Sequence, residues 1–179
     1  MIVVSLGANL GGPGGTARET LGSALTCLME RGVAVTARSR WYRSAPVPPS
    51  DQPDYINGAA RVETDLDPWQ LLHVMHDLEA RFGRRRRVRW AARTLDLDLI
   101  DYHGFVTFNG WRGGRLQEPD ARHLCLPHPR AHLRAFVLRP MAEIAPAWRH
   151  PVLGLDLPTL ERGPASEQHC TPLAGEAAG

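Results

Sequence analysis

The chain has no lysine: all 21 of its lysine-plus-arginine positions are arginine. That absence excludes a Walker-type phosphate loop, a Schiff-base enzyme and a kinase built on a strand lysine, each of which needs the amine. Nucleotide chemistry here has to rest on arginine and metal. Arginine suits phosphate because its planar fork matches the oxygens and its charge is permanent. The lack of lysine can equally follow from base composition, so no selection is read into it. Cysteine is scarce. Cys27, Cys125 and Cys170 are odd in number and far apart, which suits neither a disulfide framework nor a zinc site and fits a reducing cytoplasm. No apolar run approaches the ~20 residues that cross a bilayer, so no membrane partner is expected. The opening Met1-Ile2-Val3-Val4-Ser5 lacks a basic leader and a cleavage site and reads as a first strand. With a net charge of +2 and clustered basic residues, general nucleic-acid binding is not expected. At 179 residues, one domain with a real core is the default.

The most informative stretch is Arg93-Thr94-Leu95-Asp96-Leu97-Asp98-Leu99-Ile100. Apolar and acidic residues alternate, the period of a half-buried strand. Leu95, Leu97 and Leu99 would face a core. Asp96 and Asp98 would share the other face, roughly 7 Å apart along the strand. Two such carboxylates repel unless a cation lies between them, and hard oxygen ligands suit Mg²⁺ and phosphate chemistry. Taken alone, the same pattern also fits a solvated strand face. Just upstream, Gly83-Arg84-Arg85-Arg86-Arg87-Val88-Arg89-Trp90 sets dense positive charge beside the acids, as a polyphosphate site requires.

Periodicity gives the organisation. Ile2 to Leu6 is expected as a strand, followed by a glycine-rich loop to Gly15. Thr16 caps a helix with the apolar stripe Leu21, Ala24, Leu25 and Leu28, ended by Gly32. Val33 to Tyr42 alternates as one strand. Arg43 to Asp54, with Pro46, Pro48, Pro49 and Pro53, is a loop. Tyr55 to Glu63 is a strand, and Asp67-Pro68-Trp69-Gln70 starts a helix that buries Leu71, Met75, Leu78 and Phe82 and stops at Gly83. After the acidic strand, Tyr102 to Leu124 is irregular, and Pro129 to Ile144 is helical with a break or kink at Pro140. The domain is bounded at residues 1–162, and 163–179 is expected to be a disordered tail. The order βαββαβ predicts an α+β, ferredoxin-like fold: an antiparallel sheet with helices packed on one face, the other open for a site, and a C-terminal helix completing an α/β/α sandwich.

Five motifs in order carry a resemblance: Ser5-Leu6-Gly7-Ala8-Asn9-Leu10-Gly11, Tyr42-Arg43-Ser44-Ala45-Pro46, Gln52-Pro53-Asp54-Tyr55-Ile56-Asn57, Arg93-Thr94-Leu95-Asp96-Leu97-Asp98 and Leu126-Pro127-His128-Pro129-Arg130. Together they resemble the 6-hydroxymethyl-7,8-dihydropterin pyrophosphokinases of folate biosynthesis, from Ile2 to about Pro151. The resemblance implies diphosphate transfer from ATP to the hydroxymethyl group of the pterin, releasing AMP, with two Mg²⁺ ions and with ATP and the pterin as small-molecule partners. It implies Asp96 and Asp98 as metal ligands, Arg84 and Arg93 as phosphate contacts, and Trp90 as the tryptophan of a mobile catalytic loop. His128 would contact ATP phosphate, with Leu99 on the nucleotide side. Tyr55 and Phe136 would sandwich the pterin, Asn57 would hydrogen-bond it, and Ser44, Ala45 and Val47 would read its edge. A flat, polar-edged heterocycle wants that arrangement. A monomer is expected.

The chain departs from the family pattern at Ala91-Ala92, where Gly-Pro is usual, in an arginine loop about one residue shorter, and in a longer 103–123 segment. Two other readings compete. A two-metal nucleotide hydrolase would need a water-activating base. A ferredoxin-like small-ligand or RNA-binding module would leave the acidic pair unexplained.

Overall fold

The computed structural model describes residues 1–12, 15–83, 93–107, 124–175 and 179, and the backbone of 111–112 and 115–116. The acidic strand finds its place through alternation. β1 (Ile2–Ala8) is wholly buried and lies between β4 (Tyr55–Glu63) and β5 (Asp96–Tyr102), antiparallel to both. β3 (Tyr42–Ser44) and β8 (Cys170–Pro172) extend the sheet in the order β5-β1-β4-β3-β8, and β2 (Ala34–Arg38) pairs with β4. A separate two-residue ladder joins β6 (Trp111–Arg112) to β7 (Arg115–Leu116).

One face of the sheet carries Ile2, Val4, Leu6, Leu95, Leu97 and Leu99 against Leu21, Leu25 and Leu28 of α1 (Ala17–Met29) and Leu71, Met75 and Leu78 of α2 (Pro68–Arg81). Both helices begin with the expected caps. The Thr16 hydroxyl accepts from the Glu19 amide, the Asp67 carboxylate accepts from the Trp69 and Gln70 amides, and each cap is reciprocated by the side chain three residues on. Gly32 and Gly83 follow the helices with φ of 77° and 86°, the left-handed turn that a Cβ disfavours.

The other face is partly covered. Val3, Tyr42, Ala59 and Ile100 pack on α3 (Ala135–Ile144) and α4 (Leu157–Glu161) through Leu138, Met141, Leu157 and Leu160. The sandwich expectation holds, and among the described residues the end of this face nearest Asp96 stays open. No helix among the described residues is long and apolar enough to cross a membrane.

Three expectations are corrected. The Val33–Tyr42 strand is two strands, because the pairing of β2 with β4 shifts between Val35 and Ala37 and the chain leaves the ladder over Ser39–Trp41. The break expected at Pro140 falls at Arg134. A 3-10 turn over Ala131–Leu133 ends there in extended geometry (φ −123°, ψ 111°), whereas Pro140 lies within α3. Within the segment expected as a tail, the described residues include regular structure. Pro164–Glu167 forms a 3-10 turn with Ala165 buried, and β8 pairs with β3 in the register Ser44↔Cys170. Its small polar residues carry no helical or strand period, so its order comes entirely from partners distant in sequence.

His150, fully buried beside the His132 ring at 5.4 Å, accepts from the Val152 and Leu153 amides through Nδ1. Burial, then the His132 charge, pushes its pKa from 6.5 down to about 4. The native state therefore favours the neutral ring. This contribution is complete above pH 6.5 and is lost as pH falls towards 4, by roughly 2 kcal/mol at pH 5. Urea unfolding at pH 7 and pH 5 checks this: the pH-dependent loss should shrink by about that amount in His150→Gln. An unchanged loss would remove His150 from the account.

Candidate active site

The open end of the sheet is floored by small residues. In the strand register Asp98 stands opposite Ser5, which stands opposite Ala59, and Asp96 stands opposite Gly7, which stands opposite Asn57. Period-2 alternation puts all six side-chain positions on the face away from α1 and α2. A Cβ on Gly7 would lie 3.2 Å from the Asn57 Oδ1, so the missing side chain keeps a trench open between Asp96 and Asn57. Walls rise around this floor from the proline loop, the His128 turn and the start of α3. They enclose a cavity of about 360 Å³.

Basic groups crowd the acidic side. The Arg93 guanidinium pairs with Asp96 Oδ2. His128 Nε2 and Arg134 Nη1 lie 3.9 and 3.8 Å from Asp98 Oδ2. His128 Nδ1 accepts from the Arg130 amide at 3.2 Å, which leaves Nε2 as the protonated nitrogen facing the cavity in the neutral ring. Burial holds the His128 pKa below its usual value although Asp98 pulls the other way. Burial also lowers Arg134. At Arg93 burial opposes the charge, but the Asp96 carboxylate outweighs it and raises the pKa. Glu79 of α2, itself buried, accepts from the Leu97 amide at 2.9 Å and so fixes the backbone between the two acids from the outer edge of the sheet.

The opposite end is flatter and less charged. Asn57 Nδ2 donates to Ser44 Oγ at 2.9 Å across β3 and β4. Tyr55 lies beside Gln52, and Phe136 stands on the first turn of α3 with the Arg134 guanidinium 5.4 Å over its ring.

Ser44, Ala45, Val47, Tyr55, Asn57, Arg93, Asp96, Asp98, His128 and Phe136 all line this one cavity. Leu99 does not. Its side chain lies in the core against the helices, 4 % exposed, because it sits an odd number of residues from both acids. Arg84 and Trp90 fall outside the described residues. Sequence reasoning missed Gln52, Arg130, Arg134 and the supporting Asn9 and Glu79. A signal existed for Arg134 only in its place two residues before Phe136, and for Gln52 and Asn9 only in their motifs.

A family model for 7,8-dihydro-6-hydroxymethylpterin-pyrophosphokinase (HPPK) matches residues 3–146. The chain belongs to that family. It is 42 % identical over 153 residues to the 2-amino-4-hydroxy-6-hydroxymethyldihydropteridine pyrophosphokinase of Synechocystis, covering 85 % of this chain and 70 % of that one. It is 38 % identical over 161 residues to the enzyme of the same name from Pseudomonas aeruginosa, covering 89 % and 88 %. Among solved structures, the HPPK-DHPS of Plasmodium falciparum superposes with a TM-score of 0.65 at 14 % identity. That match covers 90 % of this chain and 43 % of the Plasmodium chain, and it speaks for the fold alone.

Proposed function

We propose that this single-domain enzyme transfers the terminal diphosphate of ATP to the hydroxymethyl oxygen of 6-hydroxymethyl-7,8-dihydropterin, giving AMP and the pterin diphosphate, in folate biosynthesis. Family membership supports the reaction. The observation that carries the roles is one cavity with a cationic, carboxylate-bearing end and an aromatic, amide-bearing end.

At the first end, Asp96 and Asp98 offer hard oxygen donors from one strand face into the cavity. Among the described residues no group of three or more His, Cys, Asp or Glu side chains gathers. Two carboxylates are a donor set that suits Mg²⁺, which takes one or two carboxylates and fills its shell from phosphate and water. When bound, Mg²⁺ would offset phosphate charge and align the reacting groups. Arg93 and Arg134 bind phosphate oxygens with charges that partial burial makes count for more than in water, and the neutral His128 ring donates to phosphate through Nε2. The family resemblance assigns Arg84 to phosphate and Trp90 to the nucleotide side; both lie outside the described residues.

At the other end Tyr55 and Phe136 stack on the pterin, Asn57 hydrogen-bonds its edge, and Ser44, Ala45 and Val47 frame it. The substrate oxygen attacks the β-phosphorus, the bond to the α-phosphate oxygen breaks, AMP leaves and the hydroxyl proton is released. The three cysteines are unbridged, in keeping with a reducing cytoplasm, and we take the working form to be a monomer.

Product analysis tests this reading. ATP with the pterin should yield AMP and pterin diphosphate in equal amounts, with neither formed when the pterin is left out. ADP, or nucleotide cleavage without the pterin, would favour a hydrolase instead. Phe136→Leu keeps apolar bulk but removes the stacking face, worth about 0.5–1.5 kcal/mol beyond burial. Calorimetry should show weaker pterin binding with ATP binding spared; equal losses for both ligands would make Phe136 core.

A further inference from the structure

The first turn of α3 carries Phe136 and is preceded by Arg134, yet it lacks a cap of its own. Arg134 occupies the N-cap position and makes no side-chain cap hydrogen bond, since a guanidinium offers only donors. The missing acceptor comes from 34 residues downstream. Gln168 Oε1 accepts from the Ala135 amide at 3.0 Å, and Gln168 Nε2 donates to the Leu133 carbonyl at 2.7 Å. The two bonds bracket Arg134, one on the residue before it and one on the residue after. A longer bond from Nε2 reaches the Pro164 carbonyl at 3.4 Å.

Gln168 is itself held. Its amide donates to the Ala165 carbonyl at 3.2 Å, and Ala165 is buried against α3 and α4. Two residues on, β8 pairs with β3, and Arg139 of α3 donates to the Cys170 carbonyl. The segment thus presses on the cavity from outside at two places, behind Arg134 and behind Ser44, which is paired with Cys170. It lies beyond the residues that the family model matches.

We propose that Gln168 is a positioning residue for the transfer reaction, setting through Leu133 and Ala135 the backbone from which Arg134 reaches Asp98 and Phe136 faces the pterin. The proposal rests on the reading of Arg134 and Phe136 as ligand contacts. Arg134 is extended between a 3-10 turn and a helix; its amide donates to the Ala131 carbonyl and its carbonyl accepts from the Val137 and Leu138 amides, while the flanking Leu133 carbonyl and Ala135 amide are held by Gln168. A side chain misplaced by about 1 Å can cost up to 10²-fold in rate.

The test compares Gln168→Ala, Gln168→Met, Gln168→Glu and Arg134→Ala by melting temperature, kcat and the KM of both substrates, all well below the melting point. Gln168→Ala should lower kcat/KM about tenfold. Gln168→Met, which keeps the bulk and loses both bonds, should do the same. Gln168→Glu, which keeps the acceptor for Ala135, should recover part of the loss. The double variant Gln168→Ala with Arg134→Ala should lose less than the product of the two single losses, because part of the first change acts through Arg134 and the rest through Phe136. A lowered melting temperature with wild-type kinetics in both Gln168→Ala and Gln168→Met would overturn the proposal and leave a plain structural cap. Wild-type turnover in Arg134→Ala would overturn the underlying reading of Arg134, and this proposal with it. If Gln168→Ala does not fold, the Met and Glu variants decide.

Discussion

Asp98→Asn should lose nearly all turnover, by about 10²-fold or more, in a protein that still folds. The amide is nearly isosteric with the carboxylate, and the backbone pairing of Asp98 with Ser5 does not depend on its side chain. The charge is what changes. His128 and Arg134, 3.9 and 3.8 Å from Asp98 Oδ2, lose the anion that organises them, and the cavity loses one of its two hard oxygen donors. Asp96→Asn should be as severe, and it also breaks the pair with Arg93. Activity at ordinary Mg²⁺, read beside the melting temperature, checks both. Wild-type turnover in either variant would rule out that carboxylate as a metal ligand.

Asn9→Ala should produce the second large effect, and a different one. Asn9 is buried, and its side chain joins three loops. Its Oδ1 accepts from the Arg93 amide at 2.7 Å, and its Nδ2 donates to Gln52 Oε1 at 3.1 Å and to the Pro53 carbonyl at 3.3 Å. The Asn9 and Leu10 amides both donate to the Arg93 carbonyl. One side chain therefore ties the proline loop, on the proposed pterin side, to the residue that pairs with Asp96. Truncation leaves the Arg93 amide without that acceptor, a cost of about 1–3 kcal/mol, and releases Gln52 and Pro53 together. Turnover should fall about tenfold or more, and pterin affinity should fall with it, whereas the aspartate variants should lose turnover chiefly. Asn9→Asp keeps the acceptor for Arg93 but not the two donors, so it should recover turnover better than pterin binding. Normal kinetics with a lowered melting temperature would reduce Asn9 to a structural tie.

Much of this site was legible because local rules and tertiary packing agree there. The alternation from Leu95 to Ile100 placed three leucines in the core and two acids in the cavity. Tyr55 to Glu63 and the Asp67 cap were readable to the residue. What stayed hidden depends on distant partners. No local signal shows that Trp41 is buried over Gly58, where a Cβ would lie 2.5 Å from its ring, and so that β2 and β3 must separate. Nothing in Pro164 to Pro172 announces an edge strand, since β8 exists through β3 and Arg139. Arg134 looked like one arginine among 21 until the fold brought it to Asp98. The same alternation rule that found the acids also placed the Leu99 side chain in the core, against the role that resemblance implied for it.

On the proposed mechanism the pterin hydroxymethyl oxygen attacks the β-phosphorus within this cavity. Turnover with the pterin labelled by ¹⁸O at that hydroxyl, followed by mass spectrometry of both products, tests it directly. The label should stay in the bridge between pterin and diphosphate while AMP carries none. Label in AMP, label lost to solvent, or ADP in place of AMP would contradict it.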